Sequence, residues 1–381
     1  MNHNIYMDYN ATAPVLPEAK DAVVRALDFV GNPSSVHRMG RLAHRLVEDS
    51  RVGVRALVNA ADGARVIFTS GGTEANAICL LGCGRGRIIA SAIEHPAVRN
   101  ASENVELIAV NKNGIVDASH LEKLLSKNGE DAIVSVMLAN NETGVIQPVK
   151  ELAEIAHNYG ALFHCDAVQA AGKIEIDFTH IAADYMSISA HKFGGPKGVG
   201  ALITKPDAPL RALVPGGGQE NGLRGGTENV SGIAGMAGAA NAALGKIDAE
   251  SKRLLSLRDD LEKQISKIDN TAVIIGGDAK RLPNTSFIVM AGVPAETQVA
   301  GFDLAGICVS AGSACASGKI KQSPVLAAMG ISEIDGACAL RVSLGHESNQ
   351  EDINKFVSLW DEIRSRALKA NEAVIKKGNA A

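Results

Sequence analysis

The order of strand-like and helix-like runs predicts an α/β protein: a large domain with a mostly parallel sheet flanked by helices, then a smaller α+β domain. Three observations carry this reading. Short apolar runs alternate with helix-forming stretches through the first two thirds of the chain, as strands of a parallel sheet do. A long Ala-rich and Leu-rich tract from Val230 to about Ile268 separates them from a second set of short strands. Glycine-rich and polar turns follow the carboxyl ends of several runs in the first set, where ligands bind on such sheets.

Taken in order, the strand-like runs of the large domain are Val66 to Thr69, Ile88 to Ser91, Ala132 to Leu138, Leu162 to Asp166, Tyr185 to Ser189 and Val199 to Thr204. Most are nearly unbroken apolar runs, which suits strands buried on both faces. Helix-like stretches such as Val149 to Tyr159 lie between them. Ala272 to Ile275, Thr285 to Met290, Gly306 to Ser310 and Leu340 to Leu344 supply the strands of the smaller domain, and Gln350 to Leu368 its cover helix. The large domain is placed at residues 12–255 and the small one at 1–11 with 256–381, the N-terminal arm folding back onto it.

With 381 residues, 46% hydrophobic content and 39 glycines, the chain can fill two cores and still carry many loops. A net charge of −4 gives no support for nucleic-acid binding. Six cysteines without a CxxC pair argue against a disulfide framework or a metal site and for a reducing cytoplasm. The polar start, with no apolar signal core, and the lack of any stretch long enough to span a bilayer predict a soluble protein with no membrane partner.

The residues that carry chemistry follow the strands. Lys192, in Ser189-Ala190-His191-Lys192-Phe193-Gly194-Gly195-Pro196, sits on an irregular segment just past a buried strand. A lysine amine in a dry site loses its proton more easily and attacks aldehydes. Asp166, near the end of the run Ala161 to Val168, needs a positive partner, and the protonated pyridine nitrogen of pyridoxal phosphate is one. Gln169, three residues on, could reach that ring's phenolic oxygen. The alternative for Asp166 is a cap on the next helix. Val66 to Ala77 runs from a strand through Gly71 and Gly72 into a helix, an anion cradle without the spacing of a nucleotide loop.

Pro215 to Thr227 is a second glycine-rich stretch, in which Arg224 and Thr227 suit a phosphate; a flexible surface excursion is the alternative. Cys315 lies among small residues beside Lys319 and Lys321, which favour a thiolate over the ordinary thiol of pKa about 8.5. The other five cysteines sit among apolar or small neighbours, as core filling does. Arg341, a charge inside a strand-like run, fits either a substrate carboxylate or an internal salt bridge.

Together these motifs resemble the cysteine desulfurases of the NifS and IscS kind, class-V aminotransferase relatives of pyridoxal-phosphate fold type I. The match runs nearly the whole length, through Tyr9 to Pro14, Gly31 to His37, Glu94-His95-Pro96, Asn140 to Gly144 and Ser189 to Gly198, ending near Gly345. The resemblance implies a seven-stranded sheet and pyridoxal 5'-phosphate joined to Lys192. Asp166 would pair with the pyridine nitrogen, Gln169 would contact the phenolic oxygen, and His95 would stack on the ring. Gly72, Thr73, Ser189 and His191 would hold the phosphate, with Thr227 donated by the other subunit of a homodimer. Asn141 would lie beside ring and substrate, and Asn32 and Arg341 would grip the substrate carboxylate.

The implied reaction converts L-cysteine to L-alanine, with Lys192 moving the α-proton, Cys315 taking the sulfur as a persulfide and His95 a candidate for proton traffic. The sulfur would then pass to an iron–sulfur cluster scaffold or another acceptor protein. The segment after Cys315 is more basic than in housekeeping members, and the tail Ala367 to Ala381 is short, so the acceptor stays open. A selenocysteine lyase or small aminotransferase would share Lys192 and Asp166 but would not need Cys315. A non-catalytic scaffold would have lost a key residue, and none is missing.

Overall fold

The computed structural model describes residues 4–312 and 323–378, with side chains described up to 367 and at 369. Thirteen strands are found among them: β1 (Ile5–Tyr6), β2 (Arg65–Thr69), β3 (Arg87–Ser91), β4 (Val105–Ile108), β5 (Ala132–Met137), β6 (Leu162–Asp166), β7 (Tyr185–Ser189), β8 (Gly200–Thr204), β9 (Val273–Ile274), β10 (Thr285–Val289), β11 (Ile307–Cys308), β12 (Ser310–Ala311) and β13 (Ala339–Ser343). The large sheet has seven strands in the order β2-β8-β7-β6-β5-β3-β4. Only β8 runs antiparallel to its neighbours, so the sheet is mostly parallel, as the sequence predicts.

Helices cover this sheet because their apolar positions recur on one face. In Arg38–Leu57, the buried residues Ala43, Val47, Ser50, Val54 and Leu57 fall at steps of four and three, one stripe of a helix. A four-stranded antiparallel sheet, β12-β13-β10-β9, and the parallel pair β1-β11 make the second layer. Its core gathers Leu254, Leu261, Phe302, Phe356 and Trp360, with Met7 of the N-terminal arm inside it. Phe302 and Phe356 stack with ring centroids 4.5 Å apart.

Three local expectations change. The edge strand β4 has no counterpart in the predicted runs, because Glu106 interrupts it and it is only half-buried. The tract from Val230 is two helices, Val230–Leu244 and Ile247–Ile268, parted at Gly245 and Lys246. The single run Gly306 to Ser310 switches partners at Val309: β11 pairs with β1, and β12 pairs with β13.

Candidate active site

The carboxyl ends of β2, β6 and β7 open into one cavity of about 560 Å³. Gly72, Thr73, His95, Asn141, Asp166, Gln169, Ser189, His191, Lys192 and Arg341 all line it. Ten of the residues singled out in the sequence are thus brought together. Asn32 is exposed with its Oδ1 accepting from Ser34 N at 2.9 Å, and Thr227 is exposed; neither lines the cavity. Cys315 lies outside the described residues.

β2 delivers the chain through Gly71 into the helix Gly72–Gly82. A Cβ at Gly72 would come within 2.7 Å of Val168 Cγ2 and 3.6 Å of Ser189 Cβ, so glycine leaves room for these side chains against the helix start. The start of this helix faces the cavity with free N–H groups and a partial positive charge, which favour an anion. Arg224 is turned to a different use than the sequence suggests: it pairs with Glu74 at 2.8 Å, tying the second glycine-rich stretch to this helix.

Asp166 closes β6 and is 6% exposed. Its Oδ2 accepts from Asn76 Nδ2 at 2.7 Å and its Oδ1 from Val168 N at 3.0 Å. Among the described residues it has no ion-pair partner, so a carboxylate faces the cavity with only neutral donors to hold it. Asn76 was not singled out by motif; its position one turn into the helix after Gly72, on a buried face, was the available signal.

Lys192 ends the short 3-10 turn after β7, and its Nζ donates to Asn10 O at 2.6 Å and Ala11 O at 2.9 Å. Burial pushes its amine down to about 8, Arg341 pushes the same way, and Asp8 and Asp166 oppose them. His191 is held down to about 4 by burial and by Lys192. Burial also lowers His95, whose Nδ1 accepts from Ala97 N at 3.1 Å, leaving the proton of the neutral ring on Nε2.

Glu94, at the cavity wall, is raised to about 8 by burial and then by Asp166. Its Oε1 accepts from Ser91 Oγ and Met137 N, while Oε2 has no partner among the described residues.

The opposite wall comes from the smaller sheet and the arm. Asp8 forms a parallel bridge with Ser343, which sets it beside Arg341 of β13. Arg341 Nη2 pairs with Asp8 Oδ1 at 2.7 Å and Nη1 donates to Asn141 O at 3.0 Å. Among the described residues its Nε is buried without a hydrogen-bond partner, so the internal salt bridge and a vacant donor occur in the same side chain.

The residues fit pyridoxal phosphate: an amine of lowered basicity, a carboxylate awaiting a cation and an anion cradle share one cavity.

The model of the class-V aminotransferase family matches residues 5–356. The chain belongs to this family. Among class-V relatives, a cysteine desulfurase of Cereibacter sphaeroides is 41% identical over 373 residues, covering 94% of this chain and 95% of the relative. A NifS-like protein from Rickettsia africae ESF-5 superposes with a TM-score of 0.90 at 36% identity, covering 95% of this chain and all of that one (100%). A structure of SspA in complex with cysteine matches at a TM-score of 0.78 and 28% identity, over 89% of this chain and 98% of that one. This class-V likeness and the sheet order identify the fold as type I of the pyridoxal-phosphate enzymes.

Proposed function

We propose that the chain is a pyridoxal-phosphate-dependent cysteine desulfurase, converting L-cysteine to L-alanine and passing the sulfur to Cys315 as a persulfide. The observation that carries this reading is one cavity holding Lys192, with its amine lowered to about 8, together with Asp166 and the helix start at Gly72. The cysteine desulfurase of Cereibacter sphaeroides and the cysteine-bound SspA support the substrate.

When bound, pyridoxal phosphate supplies an aldehyde for an amine and a sink for the electrons left at the substrate α-carbon. Lys192 would hold it covalently and then carry the α-proton, a task suited to an amine that titrates near neutral pH. Asp166 would keep the ring nitrogen protonated, and Asn76 keeps that carboxylate aimed. Gly72, Thr73, Ser189 and His191 would receive the phosphate, with Thr227 of a second subunit completing it. Gln169 would donate to the phenolic oxygen, His95 would stack on the ring and deliver a proton through Nε2, and Asn141 would flank the substrate.

Arg341, whose Nε has no partner among the described residues, and Asn32 would hold the substrate carboxylate. Cys315 thiolate then takes the sulfur from L-cysteine, so that L-cysteine and one thiol become L-alanine and one persulfide.

We infer a cytoplasmic homodimer that hands sulfur to an iron–sulfur scaffold or another acceptor protein. The dimer is supported by an exposed apolar stretch around Asn32, with Leu27, Val30 and Val36 at 68%, 88% and 87% exposure. No helix among the described residues is long and apolar enough to cross a membrane.

The test is purified protein with L-cysteine, measuring alanine and persulfide. Cys315→Ser should abolish persulfide on the chain and lower alanine release roughly a hundredfold or more, as loss of a nucleophile does. Undiminished turnover in that variant would point to an aminotransferase instead.

A further inference from the structure

Behind the cavity wall lies a lysine that no motif singled out. Lys173 sits on the turn that follows β6, and its Nζ donates to Asn10 Oδ1 at 2.8 Å and to Gln169 Oε1 at 2.9 Å. Gln169 Nε2 in turn donates to Asn10 O at 2.9 Å, the same carbonyl that accepts from Lys192 Nζ at 2.6 Å. Asn10 is 1% exposed and Gln169 5%. The turn itself is fixed: Gly172 has φ of +73°, and a Cβ there would meet Phe193 Cβ at 2.5 Å, so the turn is wedged against the residue next to Lys192.

A side-chain amide can point either end at a partner, and its neighbours decide which. A lysine ammonium only donates. With Lys173 donating to Oε1 and the Asn10 carbonyl able only to accept, Gln169 turns Oε1 to Lys173 and Nε2 toward Asn10 O and the cavity. Flipping it would oppose two donors on one side and two acceptors on the other. The Asn10 amide is locked the same way: Oδ1 accepts from Lys173 and from Asn284 Nδ2 at 3.2 Å, and Nδ2 donates to Thr285 Oγ1 at 2.9 Å. A buried group held to this degree is costly to misorient.

We propose that Lys173 is a positioning residue that fixes the Gln169 and Asn10 amides, so that an N–H of Gln169 and the Asn10 carbonyl are always presented where Lys192 works. The inference rests on the reading of the cavity as a pyridoxal-phosphate site. Lys173 does not line the cavity, so it acts through Gln169 and Asn10.

The charged and titratable groups around Lys192 are Asp8 on the arm, His95, Asp166 at the end of β6, Lys173, His191 and Arg341 on β13. Removing Lys173 leaves the other five in place. Burial and the two neighbouring cations Lys192 and Arg341 hold Lys173 well below the usual lysine range. A neutral amine keeps two N–H groups for its two acceptors, and in either state the Asn10 carbonyl, which accepts from Gln169 Nε2, opposes a flip.

The test is a double-mutant cycle with Lys173→Met and Gln169→Leu, read by equilibrium uptake of pyridoxal phosphate and by the pH midpoint of the visible absorbance of the loaded protein. Lys173→Met is expected to weaken uptake about tenfold and move the midpoint up by about one unit, because a donor to the ring oxygen is no longer held in place. In the Gln169→Leu background the same change should move neither.

An equal shift in both backgrounds would mean that Lys173 acts by charge alone, and no shift in either would mean that it does not position the site; both overturn the proposal. Lys173→Gln, which keeps a donor, should fall between wild type and Lys173→Met; if Lys173→Met does not fold, an unshifted Lys173→Gln overturns the proposal. Wild-type protein that develops no visible band would instead overturn the cofactor reading itself.

Discussion

The two walls of the cavity are built differently. On the large-sheet side, Gly72, Asp166 and Lys192 follow directly from three strand ends, and the polar atoms of Asp166 and Gln169 meet close partners. On the small-sheet side, Arg341 is held by Asp8 from the other end of the chain, and its Nε has no partner among the described residues. On the proposed reading, one wall would hold a permanent resident, with geometry fixed by backbone and short turns. The other, among the described residues, keeps an unspent donor, which on that reading would serve a ligand that comes and goes.

Breaking the resident side should cost most. Lys192→Ala is expected to lower alanine formation roughly a thousandfold or more, as loss of a proton-transferring group does, and to remove covalent retention of the cofactor, checked by turnover and by borohydride reduction with mass analysis. Breaking the visitor side should cost less and elsewhere. Arg341→Lys is expected to raise KM for cysteine about tenfold to a hundredfold with a smaller change in kcat, because lysine cannot reproduce the planar fork.

The charges of the second wall also tune the first. In cofactor-free protein, methylation of Lys192 followed by mass spectrometry should titrate at about 8 instead of near the ordinary 10.5. Arg341→Met should move that midpoint up, since the guanidinium lowers it, and Asp8→Asn should move it down, since the carboxylate raises it. Equal midpoints in all three proteins would separate the walls electrostatically.

The smallest effect concerns stability. Glu94 has a folded value of about 8 against an ordinary 4.5, so the folded protein holds a proton that the unfolded chain has released across that window. Stability therefore falls as pH rises from 4.5 to about 8, and the whole cost is present above it. Glu94→Gln should match wild type in urea midpoint near the lower end and exceed it at the upper end.

The same contrast explains what could be read from the sequence. The large-sheet wall was legible because each of its parts is local: an apolar run, a turn, and a functional residue within a few positions. Six of the seven strands show that way, and only half-exposed β4 does not. Lys192, Asp166 and Gly72 needed no long-range information. Asp8 and Lys173 escaped notice, and Asn10 showed only as part of Tyr9 to Pro14 with no role of its own, because their meaning lies in contacts across the chain: Asn10 reaches Ser343 and Lys173, and nothing near it in sequence signals either. Arg224 illustrates the converse, a charge whose local setting suits a phosphate but which a nearby helix carboxylate claims.

The bridge between Asp8 and Ser343, and the Asp8–Arg341 pair spanning 333 residues, set an order of assembly. Contacts of such high sequence separation carry the largest loop-closure cost and form late. A chain emerging from the ribosome can complete β2 through β8 and their turns while Arg341 is still unmade. On the proposed reading, the strand ends that carry Gly72, Asp166 and Lys192 would thus be in place before Arg341 joins them, and truncation before β13 would remove the Arg341 wall while leaving those strand ends intact.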